Sequence, residues 1–200
     1  MMLVSRPAPD FTAPAVLPDN QIIDNFNLKK YIKDSPAVLF FWPMDFTFVC
    51  PSELIACDKR YMKFKKRGVK IIGVSCDSQF THYAWKQVPI NKGGIGNIQY
   101  PIVADIKHEI ITTYGIEHPS LGVALRSSFL IDKTGYIRHQ STNDLALGRN
   151  FDEMIRIIDA MQFHEENGLV CPAQWERNKE GIEASPKGIA NFLDKNFKEL

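Results

Sequence analysis

Apolar positions in this chain follow two rhythms. Ala37 to Trp42 and Val69 to Ser75 are short runs of strand length with almost no polar interruption, which predicts central strands covered on both faces. Tyr100 to Ala104 predicts a shorter third strand. Helical spacing fills the intervals: Ser52 to Arg67, with Pro51 at its first position and Gly68 to end it, then Ser78 to Gln87 and Ile106 to Tyr114. Arg126 to Ile131 and Tyr136 to Gln140 flank Asp132-Lys-Thr-Gly135, which predicts a β-hairpin. Asn150 is placed to cap a helix whose apolar face is Met154, Ile157, Ile158 and Met161. Pro7, Pro9, Pro14 and Pro18 mark an extended, turn-rich entry, Lys92 to Gly96 a loop, and Gly188 to Lys198 a last helical segment. Strands alternating with helices, then a hairpin and a helix, predict an α/β sandwich with a mixed sheet. The expected division is a main domain over 1–162 and a C-terminal extension over 163–200.

Composition narrows the function more than the fold. A net charge of +1 on 200 residues supplies no bulk field to recruit nucleic acid or anionic lipid. The longest apolar run is far too short to span a bilayer, and Met1 to Ala15 has no apolar stretch of signal-peptide length, so a cytoplasmic protein is expected. Cys50, Cys57, Cys76 and Cys171 include no CxxC pair, which disfavours a zinc ribbon or a thioredoxin-style redox motif. Structural disulfides are rare in a reducing compartment, so cysteine chemistry here is expected to be catalytic or transient.

Cys50 lies where a buried strand has ended and a helix is about to begin. Free N–H groups and the helix dipole favour an anion there, and hence the thiolate. Ionisation alone is a modest gain: an unperturbed thiol is about 3% thiolate at pH 7, so full ionisation adds only about thirtyfold. Fast chemistry at a thiolate also needs donors placed where charge develops as the substrate bond breaks. Thr47 is spaced to offer a hydroxyl to that point, and Pro43 to shape the loop and shield the sulfur. Arg126 opens an apolar strand, an unusual place for a cation unless it is paired or catalytic. Cys171 falls past the last core-like helix in a polar tail, where core filling is a poor account of it.

The run Phe41-Trp-Pro43-Met-Asp-Phe-Thr47-Phe-Val-Cys50-Pro-Ser-Glu53 resembles the Pro-x-x-x-Thr-x-x-Cys signature of the peroxiredoxins, in the form found in their typical two-cysteine branch. The resemblance continues through Val74-Ser-Cys-Asp-Ser78, His82-Tyr-Ala-Trp85, Pro101-Ile-Val-Ala-Asp105, Asn143-Asp144, Gly148-Arg149 and Val170-Cys-Pro-Ala-Gln-Trp175. It implies a thioredoxin-like fold and a peroxidase that reduces hydrogen peroxide and organic hydroperoxides through a Cys50 sulfenic acid, in antioxidant defence and redox homeostasis. It further implies Cys171 as the resolving thiol, bonded to Cys50 across a subunit boundary; the residues themselves do not distinguish that from a bond within one subunit. Arg126 matches the arginine that holds thiolate and peroxide, with Glu53 orienting it and Arg149 joining the network, although both could be plain salt bridges. The implied partners are thioredoxin or a flavoprotein reductase as electron donor, and a second copy in a homodimer that assembles into a decamer near Asp45, Phe46 and Phe48. No cofactor and no metal are implied.

Two features bear on overoxidation. Gly93-Gly-Ile-Gly96 resembles the Gly-Gly-Leu-Gly element of sensitive enzymes, whereas Phe192-Leu193 replaces the matching Tyr-Phe pair. A holdase chaperone role of the oligomer is the alternative function, and a thiol–disulfide oxidoreductase is disfavoured by the missing CxxC. Cys57 and Cys76 are expected to fill the core. The five histidines lack metal-ligand spacing, and Lys59, Lys63, Lys66 and Arg67 read as a solvated helix face.

Overall fold

The computed structural model describes residues 1–199. The proline-rich entry is not merely extended. Thr12–Val16 (β1) and Ile22–Asn27 (β2) pair as an antiparallel hairpin, and Asn27 caps the short helix Leu28–Ile32 (α1) by accepting from the Lys30 N–H. Ala37–Phe41 (β3) follows, with all its residues buried as the unbroken apolar run requires. Cys50–Asp58 (α2) and Tyr61–Lys65 (α3) occupy the segment expected to be one helix. It breaks at Arg60. That residue's N–H turns back to the Cys57 carbonyl, and its guanidinium takes the Ala56 carbonyl that an unbroken helix would have paired with the backbone. Lys70–Ser75 (β4), Gln79–Gln87 (α4) and Ile102–Ala104 (β5) come next.

Glu109–Tyr114 (α5) starts later than its periodicity predicts, because His108 adopts a left-handed backbone and Asp105 caps the N–H groups of Ile110 and Ile111. Arg126–Ile131 (β6) and Ile137–Asn143 (β7) form the expected hairpin, with Gly135 in the left-handed turn position and the Asp132 carboxylate accepting from the N–H groups of Thr134 and Tyr136. Phe151–Asn167 (α6) and Pro186–Asn196 (α7) complete the helices, the latter capped by Ser185.

The strands form one seven-stranded mixed sheet in the order β2-β1-β5-β4-β3-β6-β7. β3 lies inside the sheet next to the central β4, parallel to β4 and antiparallel to β6. Gly73 in β4 faces the Trp42 ring, where a Cβ would fall 2.7 Å from a ring carbon, so only glycine lets that indole lie on the sheet. This is the thioredoxin-like architecture expected of the chain. Residues Met1–Phe151 form one compact unit and those from Asp152 onward another. α6 runs unbroken from Phe151 to Asn167, across the 162/163 boundary read from the pattern. In the second unit, Val170 and Ile182 exchange backbone hydrogen bonds in an antiparallel bridge. Among the described residues no helix is long and apolar enough to cross a membrane.

Candidate active site

β3 leads directly to the site. The Trp42 N–H continues the ladder to Val74, and Pro43, lacking an N–H, stops it. Asp45 then anchors the connecting loop. Its carboxylate accepts from the Trp42 indole at 2.8 Å and meets His82 Nδ1 at 2.7 Å, while its N–H donates to Asp77. Burial pushes the Asp45 carboxyl upward, against the pull of His82. The second His82 nitrogen faces the Val103 carbonyl, and Ser75 donates to Asp77, so the loop is bound to β4, β5 and α4. Phe46 holds a left-handed backbone (φ +54°) and rests its ring near Trp85.

Cys50 is the first residue of α2 and is fully buried. The preceding residue, Val49, makes no side-chain cap, and Pro51 brings no N–H, so the helix start keeps its positive end directed at this position. Arg126, at the start of β6, places Nη1 3.3 Å from the Cys50 sulfur. The same Nη1 donates to Glu53 at 2.8 Å, and Nε donates to the Leu145 carbonyl at 2.7 Å. Glu53 stands one turn along α2 and also takes Arg149, through Nε at 2.8 Å, Nη2 at 2.9 Å and the Arg149 N–H at 2.9 Å. Arg149 Nη1 reaches the Ser127 carbonyl, and its guanidinium lies over the Phe40 ring. Burial alone would raise the Glu53 carboxyl, but the two guanidiniums outweigh it and hold the group below its ordinary value. Glu53 therefore stays ionised between two cations, and Arg126 is held in one orientation beside the sulfur.

A cavity of about 540 Å³ opens beside this cluster. Pro43, Thr47 and Arg126 form one part of its wall; Phe48, Leu121, Val123, Leu145 and Ala146 make most of the rest apolar. The Thr47 hydroxyl donates to the Met44 carbonyl at 2.8 Å, within the loop itself. Its oxygen is left to accept. The structure thus brings together six of the seven residues singled out from the sequence: Pro43, Thr47, Cys50, Glu53, Arg126 and Arg149. Sequence reasoning missed the apolar wall and the Leu145 carbonyl, which come from loops without periodicity. Cys171 belongs to the second unit, where its sulfur donates to the Ala160 carbonyl at 3.5 Å and burial raises its thiol.

The other cysteines are built differently. Cys57 is fully buried, and burial pushes its thiol far upward against the pull of Arg149. Cys76 is pushed up to about 12, by burial first and the Asp105 carboxylate second. A separate cavity of about 410 Å³, lined by Thr12, Asp105, Ile106 and Tyr114 among others, contains no cysteine.

A buried thiol at a helix start, fixed against an arginine that lines a neighbouring cavity, defines a thiol-based redox enzyme of the thioredoxin-fold class. Residues 4–140 match the model of the AhpC/TSA family, and residues 160–195 match the C-terminal domain of 1-Cys peroxiredoxin. Alkyl hydroperoxide reductase C of Buchnera aphidicola subsp. Acyrthosiphon pisum is 55% identical, covering 98% of this chain and 99% of its own. The protein of that name from Helicobacter pylori is 50% identical, covering all of both chains. The reduced 2-Cys peroxiredoxin of Plasmodium vivax superposes with a TM-score of 0.94 at 44% identity, covering 98% of this chain and all of that one. The chain belongs to the AhpC/TSA family of peroxiredoxins and is a thiol-dependent peroxidase.

Proposed function

We propose that this enzyme reduces hydrogen peroxide and organic hydroperoxides with Cys50 as peroxidatic thiol and Cys171 as resolving thiol. The 3.3 Å approach of Arg126 Nη1 to the buried Cys50 sulfur, with Arg126 also lining a largely apolar cavity, carries the reading. A hydroperoxide enters that cavity with its O–O group toward Arg126. The Cys50 thiolate attacks the terminal oxygen, the O–O bond breaks, and the electron pair leaves on the other oxygen, which takes a proton and departs as alcohol or water. Arg126 donates to the oxygens as charge develops, an interaction strongest in the transition state. Thr47 accepts the hydroperoxide O–H and so orients it, while Pro43 keeps water from the sulfur. Glu53 and Arg149 do not touch substrate; they fix Arg126.

Cys171 of a partner subunit then attacks the Cys50 sulfenic acid, forming a disulfide and releasing water. A dithiol donor, thioredoxin or a flavoprotein disulfide reductase, restores both thiols. Assembly beyond the dimer, as a ring of five dimers, is supported by the exposed Phe46 and Phe48 of the active-site loop, and pairing of copies by the edge position of β7. A cytoplasmic location accords with the free cysteines.

A two-variant assay tests the central assignment. Cys50→Ser is expected to lose peroxidase turnover with its fold intact. Cys171→Ser is expected to consume one equivalent of peroxide, fail to turn over, and form no covalent dimer on a non-reducing gel. Substantial turnover by Cys50→Ser would remove the peroxidatic role from that residue.

A further inference from the structure

The second unit holds Cys171 in a specific way. Arg156, Ala160, Phe163 and His164 recur at three- and four-residue spacing, so they share one face of α6. Residues 169–175 lie along that face. Arg156 Nη1 donates to the Trp175 carbonyl at 2.8 Å, and the Ala160 carbonyl accepts from the Cys171 sulfur at 3.5 Å. The Phe163 and Trp175 rings stand 4.9 Å apart, and His164 Nδ1 meets the Leu169 carbonyl at 2.8 Å. Arg156 is itself fixed, with Nε and Nη2 each 2.7 Å from a different oxygen of Glu153. Its bond to Trp175 is the only one of these contacts that brings a fixed positive charge to a backbone carbonyl, the stronger kind of hydrogen bond.

The consequence concerns the protonated thiol. While its S–H donates to Ala160, Cys171 is a neutral thiol, and the nucleophile in thiol exchange is the thiolate. Attack therefore requires Cys171 to leave α6. On the reading that Cys171 resolves the Cys50 sulfenic acid, we propose that Arg156 is a positioning residue that latches the resolving segment to α6, so that release of this latch sets the rate of disulfide formation.

The step is Cys171–S⁻ plus Cys50–S–OH giving the Cys50–Cys171 disulfide and hydroxide: the S–O bond breaks, the S–S bond forms, and the proton lost by Cys171 converts the hydroxide to water. The competing step consumes a second hydroperoxide, which transfers one oxygen to the sulfenic acid and leaves as alcohol, giving the sulfinic acid. A latch that delays the first step lengthens exposure to the second.

The test is rapid mixing of the reduced full-length protein with hydrogen peroxide, with sulfenic acid and disulfide quantified by mass spectrometry after acid quench. Arg156→Ala is expected to form the disulfide about fivefold faster, the scale set by one partly exposed charge-assisted hydrogen bond. The second-order rate of Cys50 oxidation is expected to stay unchanged, and the peroxide concentration that half-inactivates the enzyme to rise by the same factor as the disulfide rate. Arg156→Lys, which keeps a cation able to reach the carbonyl, is expected to return the rate toward that of the wild type. Disulfide formation that is unchanged or slower in Arg156→Ala overturns the latch. So does an equal change in the rate of Cys50 oxidation, which would indicate general loosening of the protein. Cys171→Ser, run in parallel, separates the two claims. Accumulated sulfenic acid in that variant keeps the resolving role whatever Arg156 does, whereas continued disulfide formation would remove it and the latch with it.

Discussion

Cys50 and Cys57 sit on one helix, seven residues apart, and neither is exposed to solvent. What separates them is charge. Cys57 lies in the helix body near Tyr100, whose hydroxyl is itself committed to the Leu54 carbonyl, and burial drives its thiol far above the ordinary range. Arg149 pulls the other way and does not prevail. Cys50 occupies the helix start, where N–H groups lack backbone partners, and a guanidinium stands 3.3 Å from its sulfur. Burial by itself therefore makes a thiol inert. Burial combined with a helix start and an oriented cation sets the sulfur beside a fixed donor in a dry site, the arrangement that peroxide cleavage needs.

Removing the cation is the largest way to erase the difference. Arg126→Ala is expected to lower the second-order rate with hydrogen peroxide more than about a hundredfold, through loss of a charge-assisted hydrogen bond in a dry site. Glu53→Gln acts one step removed: it leaves two buried guanidiniums around a neutral amide, which by the usual cost of breaking a buried ion pair removes about 3 kcal/mol of stability. Thermal unfolding measures that cost, and the peroxide rate is expected to fall by about tenfold as Arg126 loses its fixed orientation.

The same carboxylate gives a pH dependence of definite sign. Glu53 is held below its ordinary value of 4.5, so its contribution to stability is fully present above that pH and is lost as pH falls through the folded value. Denaturant titrations below pH 4.5 are expected to show a steeper loss for the wild type than for Glu53→Gln. Curves of equal slope would mean that Glu53 is not the group responsible. Cys57→Ala is the smallest change: about 1 kcal/mol of packing is lost, while the peroxide rate stays within about twofold of wild type.

Legibility in the sequence followed how local each cause was. Pro43 and Pro51 bracket the active-site loop, so the strand end, the helix start and the placing of Cys50 between them could all be read directly. Arg126 stood out as a cation opening an apolar strand. The N-terminal hairpin was not legible, because Pro14 and Pro18 mask a strand whose buried Ala15 and Val16 are specified by pairing with Ile102 and Val103, far along the chain. The break at Arg60 depends on a side chain replacing a backbone donor, which periodicity cannot register. The late start of α5 depends on one left-handed backbone at His108. Leu121, Val123 and Leu145 line the cavity from loops, where no repeat marks a residue as facing inward.

The proposed action of Arg126 on the peroxide is separable from its action on the thiolate by a pair of rates. Cys50 of wild type and of Arg126→Ala is reacted with hydrogen peroxide and, separately, with a simple alkylating reagent, whose rate reports the thiolate alone. A loss confined to ionisation must appear to the same extent in both reactions, because both consume the thiolate. Peroxide reduction is expected to fall more than about a hundredfold while alkylation falls far less. Equal losses in the two reactions would show that Arg126 only favours the thiolate, and would contradict the claim that it stabilises the breaking O–O bond.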